Sequence, residues 1–187
     1  PVKEVEEARS IKATNPNYIL AGERKNVPPP GFQFGNSPLD YLEADLTNRT
    51  VVFSSSNCTR VVSFALSAPF LALACYRNIE AVAKWCKRVQ EQTNFKIIIV
   101  PANSGRRFSD EDVHCAICLK QMIKNSAPPP SESEVLRIIV HSAHGYNLKN
   151  SGFSQDLFFA AEVNKTSVVP IYSVEEQAFL NVANIMT

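Results

Sequence analysis

Apolar positions recur along this chain at two different periods, and the switching between them predicts its elements. Residues 3–13, KEVEEARSIKA, bring Val5, Ala8 and Ile11 to one side of a helix, with charged residues between, and the proline of the following TNPN stops it. YILAGER then reads as a short strand ending at Gly22. In the loop that follows, Asn36 or Ser37 can cap a short helix that has Pro38 in its first turn, PLDYLEADL. RTVVFSS predicts a strand, RVVSFALSA a helix and FLALACY a second buried strand. NIEAVAKWCKRVQEQT is the clearest helix, with Ile79, Val82, Ala83, Cys86 and Val89 on one face. FKIIIVPA is a continuous β-branched run of the kind found in strands covered on both sides. SDEDVHCAICLKQMIKN predicts a helix capped by Ser109 with acidic residues in its first turn. SEVLRIIVHSAHGYNLKNSG predicts a further helix ending near Gly145 or Gly152, SQDLFFAAEV a short one, and SVVPIYS a last strand.

Strands and helices alternating in this order predict an α/β fold of layered α/β/α type with a largely parallel sheet. No repeat interrupts them, and 187 residues with 45% apolar content suit a single domain. The charged helical start, with no strand before it, is the pattern expected of a domain lacking an amino-terminal segment. Lysine plus arginine (19) nearly balance aspartate plus glutamate (18). A net charge of +1 creates no general field for nucleic acid or an anionic membrane, so any anion must be bound locally. Ser63, Ser67 and Pro69 interrupt the longest apolar stretch, and no basic start with an apolar segment opens the chain, so a soluble, cytoplasmic protein is expected. The five cysteines are odd in number and sit mostly in apolar or helical contexts, which suits reduced thiols.

In parallel sheets ligands bind beyond the carboxyl ends of the strands, which directs attention to three strand ends. After TVVF comes SSSNCTR, whose hydroxyls, outward amides and Arg60 could cradle an oxyanion; the same residues could equally cap a helix. After IIIV comes ANSGRRFSDED, where Arg106 and Arg107 precede Asp110, Glu111 and Asp112, a mixture suited to an anionic substrate and a divalent cation. Those acids could also serve only the helix dipole. Glu23 and Arg24 repeat the pairing on a smaller scale after YILA. Cys115 and Cys118 beside His114, with His141 and His144, have the spacing of a zinc set, but the apolar company of the cysteines favours a buried helix face.

In order, AGER, GFQFGNSP, SSSNCTR, NIEAVA, ANSGRRFSDEDVHCA, SAHGYNLKNSGFSQDL and VVPIY resemble the 2-phosphosulfolactate phosphatase family, and the similarity covers nearly the whole chain. The resemblance implies a layered α/β fold with a mixed sheet. It also implies an Mg²⁺-dependent phosphatase of the coenzyme M route, converting 2-phospho-3-sulfolactate to 3-sulfolactate and phosphate. On that basis Glu23, Glu111 and Asp112 are candidate metal ligands, and Glu111, Asp112, Asp156 and His144 candidate catalytic groups. Asn36, Ser37, Asn57, Thr59, Arg60, Arg106 and Arg107 are the candidate substrate contacts. The expected partner is a small anionic phosphorylated substrate, with neither nucleic acid nor membrane; a homo-oligomer is compatible with the pattern. The chain departs from the family at Gln33, where a carboxylate is usual, and at Cys58, where a glycine is usual. Those departures motivate a rival expectation: a non-catalytic anion-binding or oligomer-forming relative of the same fold.

Overall fold

The first structural unit is built from the amino-terminal third of the chain. A computed structural model describes residues 1–105 and 107–181. In it α1 (Val5–Thr14) carries Glu6 and Glu7 in its first turn and Lys12 in its last, each sign opposing the helix dipole, and buries Ala8. The helix packs on a two-stranded parallel sheet of β1 (Ile19–Gly22) and β2 (Val51–Ser54), in the register Ile19 with Val51 and Gly22 with Ser54. All of β1 is buried. At its end the two backbones approach so closely that a Cβ on Gly22 would lie 1.9 Å from Ser54 O, and Gly22 has φ +133°. Only glycine fits there. Val2, Ala8, Leu20 and Val52 form this unit's apolar cluster.

Between the strands lies α2 (Pro38–Leu42), with Ser37 at its N-cap and Pro38 at its start. It is shorter than the run PLDYLEADL predicts. After β2 the chain turns through 55–57 into α3 (Cys58–Ala65). The remaining helices are α4 (Ile79–Thr93), preceded by a 3-10 turn over Tyr76–Asn78, α5 (Asp110–Asn125), α6 (Glu132–His141), α7 (Ala143–Asn150) and α8 (Ser154–Ala161). The face of α4 read from its periodicity is the buried one, and with Leu119 and Met122 of α5 it forms the largest cluster. α4 and α5 both end at a left-handed residue, Asn94 (φ 57°) and Ser126 (φ 53°). Tyr76, Val135, Ile139, Leu157 and Ala161 form a second cluster, and Cys115 packs against both.

The predicted mixture of helices and strands is therefore present, with less strand than expected. SVVPIYS contributes β3 (Pro170–Ser173), which pairs antiparallel with β4 (Ala178–Asn181), a strand the pattern did not suggest. FLALACY forms only an isolated bridge, Ala72 to Ile171. FKIIIVPA is not a strand: among the described residues its backbone makes no ladder with a neighbour. β propensity describes how side chains suit a pleated surface, and a strand also needs a partner for its backbone.

The single helix expected from 133 to near Gly145 or Gly152 is two. Ser142 (φ −70°, ψ 154°) ends α6 and caps α7: its hydroxyl donates to Ile139 O (2.9 Å) and accepts the Gly145 N–H (2.9 Å). A serine at this point offers the backbone an alternative to continuing the helix. Among the described residues, no helix is long and apolar enough to cross a membrane.

Candidate functional site

A cavity of about 1090 Å³ opens among α2, α3, α5, α7 and α8, and polar side chains form part of its lining. Asn36, Ser37, Glu111, Asp112, His144 and Asp156 all line it, although they lie up to 120 positions apart in sequence. Six of the residues singled out from the sequence thus line one cavity, with Ser37 hydrogen bonded to Asp156 and Asp112 within electrostatic reach of Glu111 and His144. Each is delivered by an element boundary: Asn36 and Ser37 by the start of α2, Glu111 and Asp112 by the first turn of α5, His144 by the start of α7, and Asp156 by the first turn of α8.

Asp112 accepts the Asn103 N–H at Oδ2 (2.8 Å). Burial, and then the charge of Glu111, hold its carboxyl above the usual carboxylate range, while the Asn103 N–H works in the opposite direction. Glu111 accepts the Ser109 hydroxyl at Oε1 (2.8 Å), whereas its Oε2 is buried with no hydrogen-bond partner. Asp156 is buried and accepts the Ser37 hydroxyl at Oδ1 (2.8 Å). Burial raises its pKa, the Ser37 hydrogen bond opposes the rise, and the charge of Asp40 adds to it. Asp40, another cavity residue, was not anticipated, although its place in the first turn of the helix after GNSP was a usable signal. Tyr76 was also missed: its hydroxyl donates to Glu111 O (2.9 Å) and lies 2.9 Å from His114 Nδ1, fixing the start of α5 from behind.

The other predicted residues lie elsewhere or serve the turns. Glu23 is buried at the end of β1, where its Oε1 accepts the Ser56 N–H (2.8 Å) and its Oε2 the Asn26 N–H (3.2 Å). It ties the two strand-end loops together. Thr59 is buried and engaged within its own turn: its hydroxyl donates to Ser55 O (2.9 Å), and the Thr59 N–H donates to Ser55 Oγ (3.3 Å). Arg60 and Arg107 are exposed and do not line the cavity. Arg106 lies outside the described residues. Asn57 accepts the Gly105 N–H at Oδ1 (3.1 Å), so the loop carrying Arg107 is joined to the start of α3. Cys58 lines the cavity, and after burial the charge of Asp112 is what raises its thiol, which places the start of α3 beside the site.

Among the described residues, no group of three histidine, cysteine, aspartate or glutamate side chains could hold a metal ion. His141 turns its Nδ1 to Arg137 O (2.7 Å), away from the zinc set suggested by spacing. Neighbouring carboxylates, one of them with a buried oxygen lacking a hydrogen-bond partner (Glu111 Oε2), have the hard-donor chemistry of a cation such as Mg²⁺, which takes only one or two ligands from protein and keeps the rest for water and phosphate.

A family profile described as 2-phosphosulpholactate phosphatase matches residues 1–175. The chain belongs to that family. Probable 2-phosphosulfolactate phosphatases are among its relatives. The protein of Clostridium novyi is 33% identical over 184 residues, covering 91% of this chain and 77% of the relative. That of Carboxydothermus hydrogenoformans is 31% identical over 188 residues, covering 94% and 76%. That of Caldanaerobacter subterraneus subsp. tengcongensis is 28% identical over 186 residues, covering 91% and 76%. For a 2-phosphosulpholactate phosphatase family member, the polar residues lining this cavity are the candidate active site.

Proposed function

We propose that this protein is a soluble, cytoplasmic phosphatase that hydrolyses 2-phospho-3-sulfolactate to 3-sulfolactate and phosphate with Mg²⁺, a step of coenzyme M biosynthesis. The observation that carries the reading is that Asn36, Ser37, Glu111, Asp112, His144 and Asp156 all line a single cavity in a chain of this family. In the reaction a water oxygen attacks phosphorus, the bond from phosphorus to the substrate's C2 oxygen breaks, and that oxygen takes up a proton. Asp156 suits acceptance of the proton from water, because burial raises its affinity for protons and Ser37 fixes its orientation. His144 is the second proton-transfer group and returns a proton to the leaving oxygen.

Glu111 and Asp112 are the groups that would hold Mg²⁺, which when bound supplies positive charge to the phosphoryl oxygens. We assign Glu23 to the strand-end clamp, since both its oxygens accept backbone N–H groups. Arg60 and Arg107 stand exposed outside the cavity, on two segments joined through the Gly105 N–H and Asn57 Oδ1, and there they attract the anionic substrate rather than contact it in the cavity. Thr59 holds the turn from which Arg60 projects.

The test is phosphate release from 2-phospho-3-sulfolactate with Mg²⁺ and, separately, with EDTA. Release that depends on the metal is expected. Absence of release in Mg²⁺, together with stabilisation by sulfate or phosphate alone, would favour the non-catalytic anion binder instead.

A further inference from the structure

2-Phospho-3-sulfolactate carries a phosphate, a carboxylate and a sulfonate, yet acids outnumber fixed cations on the cavity wall. Among the described residues lining it, Asp40, Glu111, Asp112 and Asp156 are acids, while Arg77 and Lys96 are the permanently charged cations. Lys96 is exposed, whereas the Arg77 side chain is only 20% exposed. Arg77 lies in the 3-10 turn before α4, where the Thr166 N–H donates to Arg77 O (3.0 Å) and the Asn164 N–H to Tyr76 O (3.1 Å). Its guanidinium carbon stands 3.6 Å from the centre of the Phe159 ring, and Nη1 donates to Phe159 O (2.9 Å) and to Glu162 Oε2. Ring and acceptors together fix the plane and the direction of the group. Among the described residues, Nε and Nη2 have no acceptor. Those two nitrogens form the edge whose parallel N–H bonds match two oxygens of an oxyanion. Glu162, the compensating charge, does not line the cavity.

We propose that Arg77 holds the sulfonate of the substrate. The assignment takes the identity of that substrate from the phosphatase reading. The placement comes from α8: Asp156, Phe159 and Ala160, spaced i, i+3 and i+4, line the cavity along one face of the helix. Phe159, on which Arg77 stacks, is three residues from Asp156, a rise of about 4.5 Å. The cation and the proposed base are therefore carried by neighbouring turns of one helix. In the substrate, phosphorus and sulfur are linked through P–O–C–C–S, whereas the carboxylate is attached to the carbon that bears the ester oxygen. The sulfonate is thus the anion that extends furthest from the reacting bond, and it suits a guanidinium that stays charged.

The test is calorimetric titration of 3-sulfolactate and of lactate, which lacks the sulfonate, into the wild type and two variants. The wild type should bind 3-sulfolactate at least about tenfold more tightly than lactate. Arg77→Gln should abolish that difference, and Glu162→Gln, which loses the ion-pair partner but keeps the guanidinium, should retain it. In the wild-type protein, 3-sulfolactate but not lactate should shield Arg77 from phenylglyoxal, read by mass spectrometry, which needs no folded variant. The proposal is overturned if Arg77→Gln keeps the preference, if it weakens lactate and 3-sulfolactate equally, or if 3-sulfolactate gives Arg77 no protection. Loss of the preference in Glu162→Gln to the same degree would reduce Arg77 to a clamp on α8 and also overturn it. A wild type that prefers 3-sulfolactate through Arg77 but releases no phosphate from 2-phospho-3-sulfolactate would defeat the phosphatase reading and leave the assignment of Arg77 standing.

Discussion

Asp112 sits where burial and the neighbouring charge of Glu111 both resist its ionisation. Its folded pKa is raised, so the ionised side chain costs stability at neutral pH, and the cost disappears as pH falls through the raised value toward the ordinary 3.8. Asp112→Asn keeps an oxygen for the Asn103 N–H but removes the charge. Phosphate release should therefore drop by about 10²- to 10⁴-fold, while in EDTA at pH 7 the variant should melt at a higher temperature than the wild type. A variant that loses stability in EDTA would show that the carboxylate is a structural group. The residues of this site were legible in the sequence by their chemistry, acids and a histidine at element starts, but the roles of Glu23 and Thr59 were not. Both belong to strand-end motifs that look like ligand sites, and both spend their polar atoms on the turns themselves. Whether a loop's hydroxyls and carboxylates face a ligand or their own backbone depends on dihedral angles that residue types do not specify.

Element boundaries place the site, and the break between α6 and α7 does so most directly. Ser142 ends one helix and starts the next, and it sets His144 at the cavity only because Gly145 allows the new helix to press against the old one. A Cβ on Gly145 would stand 1.9 Å from Ile139 O, a backbone atom that cannot swing away. Gly145→Ala should therefore destabilise the protein by about 1–3 kcal/mol, read from urea unfolding, and should lower kcat through displacement of His144. An unchanged unfolding midpoint would mean that the two helices are free to separate. The sequence pattern located this helical region correctly and missed its interruption, because a single serine in an apolar-periodic stretch does not break the period. The strand over 95–102 failed in the opposite way. Its composition is right for a strand, and the missing ingredient is a neighbouring backbone, which no local pattern can report.

At the scale of the whole molecule, the cluster of Val2, Ala8, Leu20 and Val52 shares no member with the two clusters around α4, α5, α6 and α8. The contact of α2 with α8 helps tie the amino-terminal unit to the rest, and at its centre the Ser37 hydroxyl donates to Asp156 Oδ1 across 119 positions of sequence. This one hydrogen bond therefore serves two functions: it joins the units and it orients the proposed base. Removing it in Ser37→Ala leaves a buried carboxylate without its donor, at an expected cost of about 1–3 kcal/mol at neutral pH. Because the hydrogen bond lowers the pKa of Asp156, its loss raises a value that burial has already raised. The ionised form is then penalised further in the folded state, whereas the protonated form is affected far less. The stability difference between wild type and Ser37→Ala should accordingly be largest at pH 7 and shrink as the pH is lowered toward the carboxylate range, while the acidic limb of kcat/KM moves to higher pH in the variant. Urea titrations at several pH values and the pH profile of phosphate release read the two effects separately. A destabilisation independent of pH, with an unmoved limb, would leave Ser37 as a packing residue and remove Asp156 from the role of base.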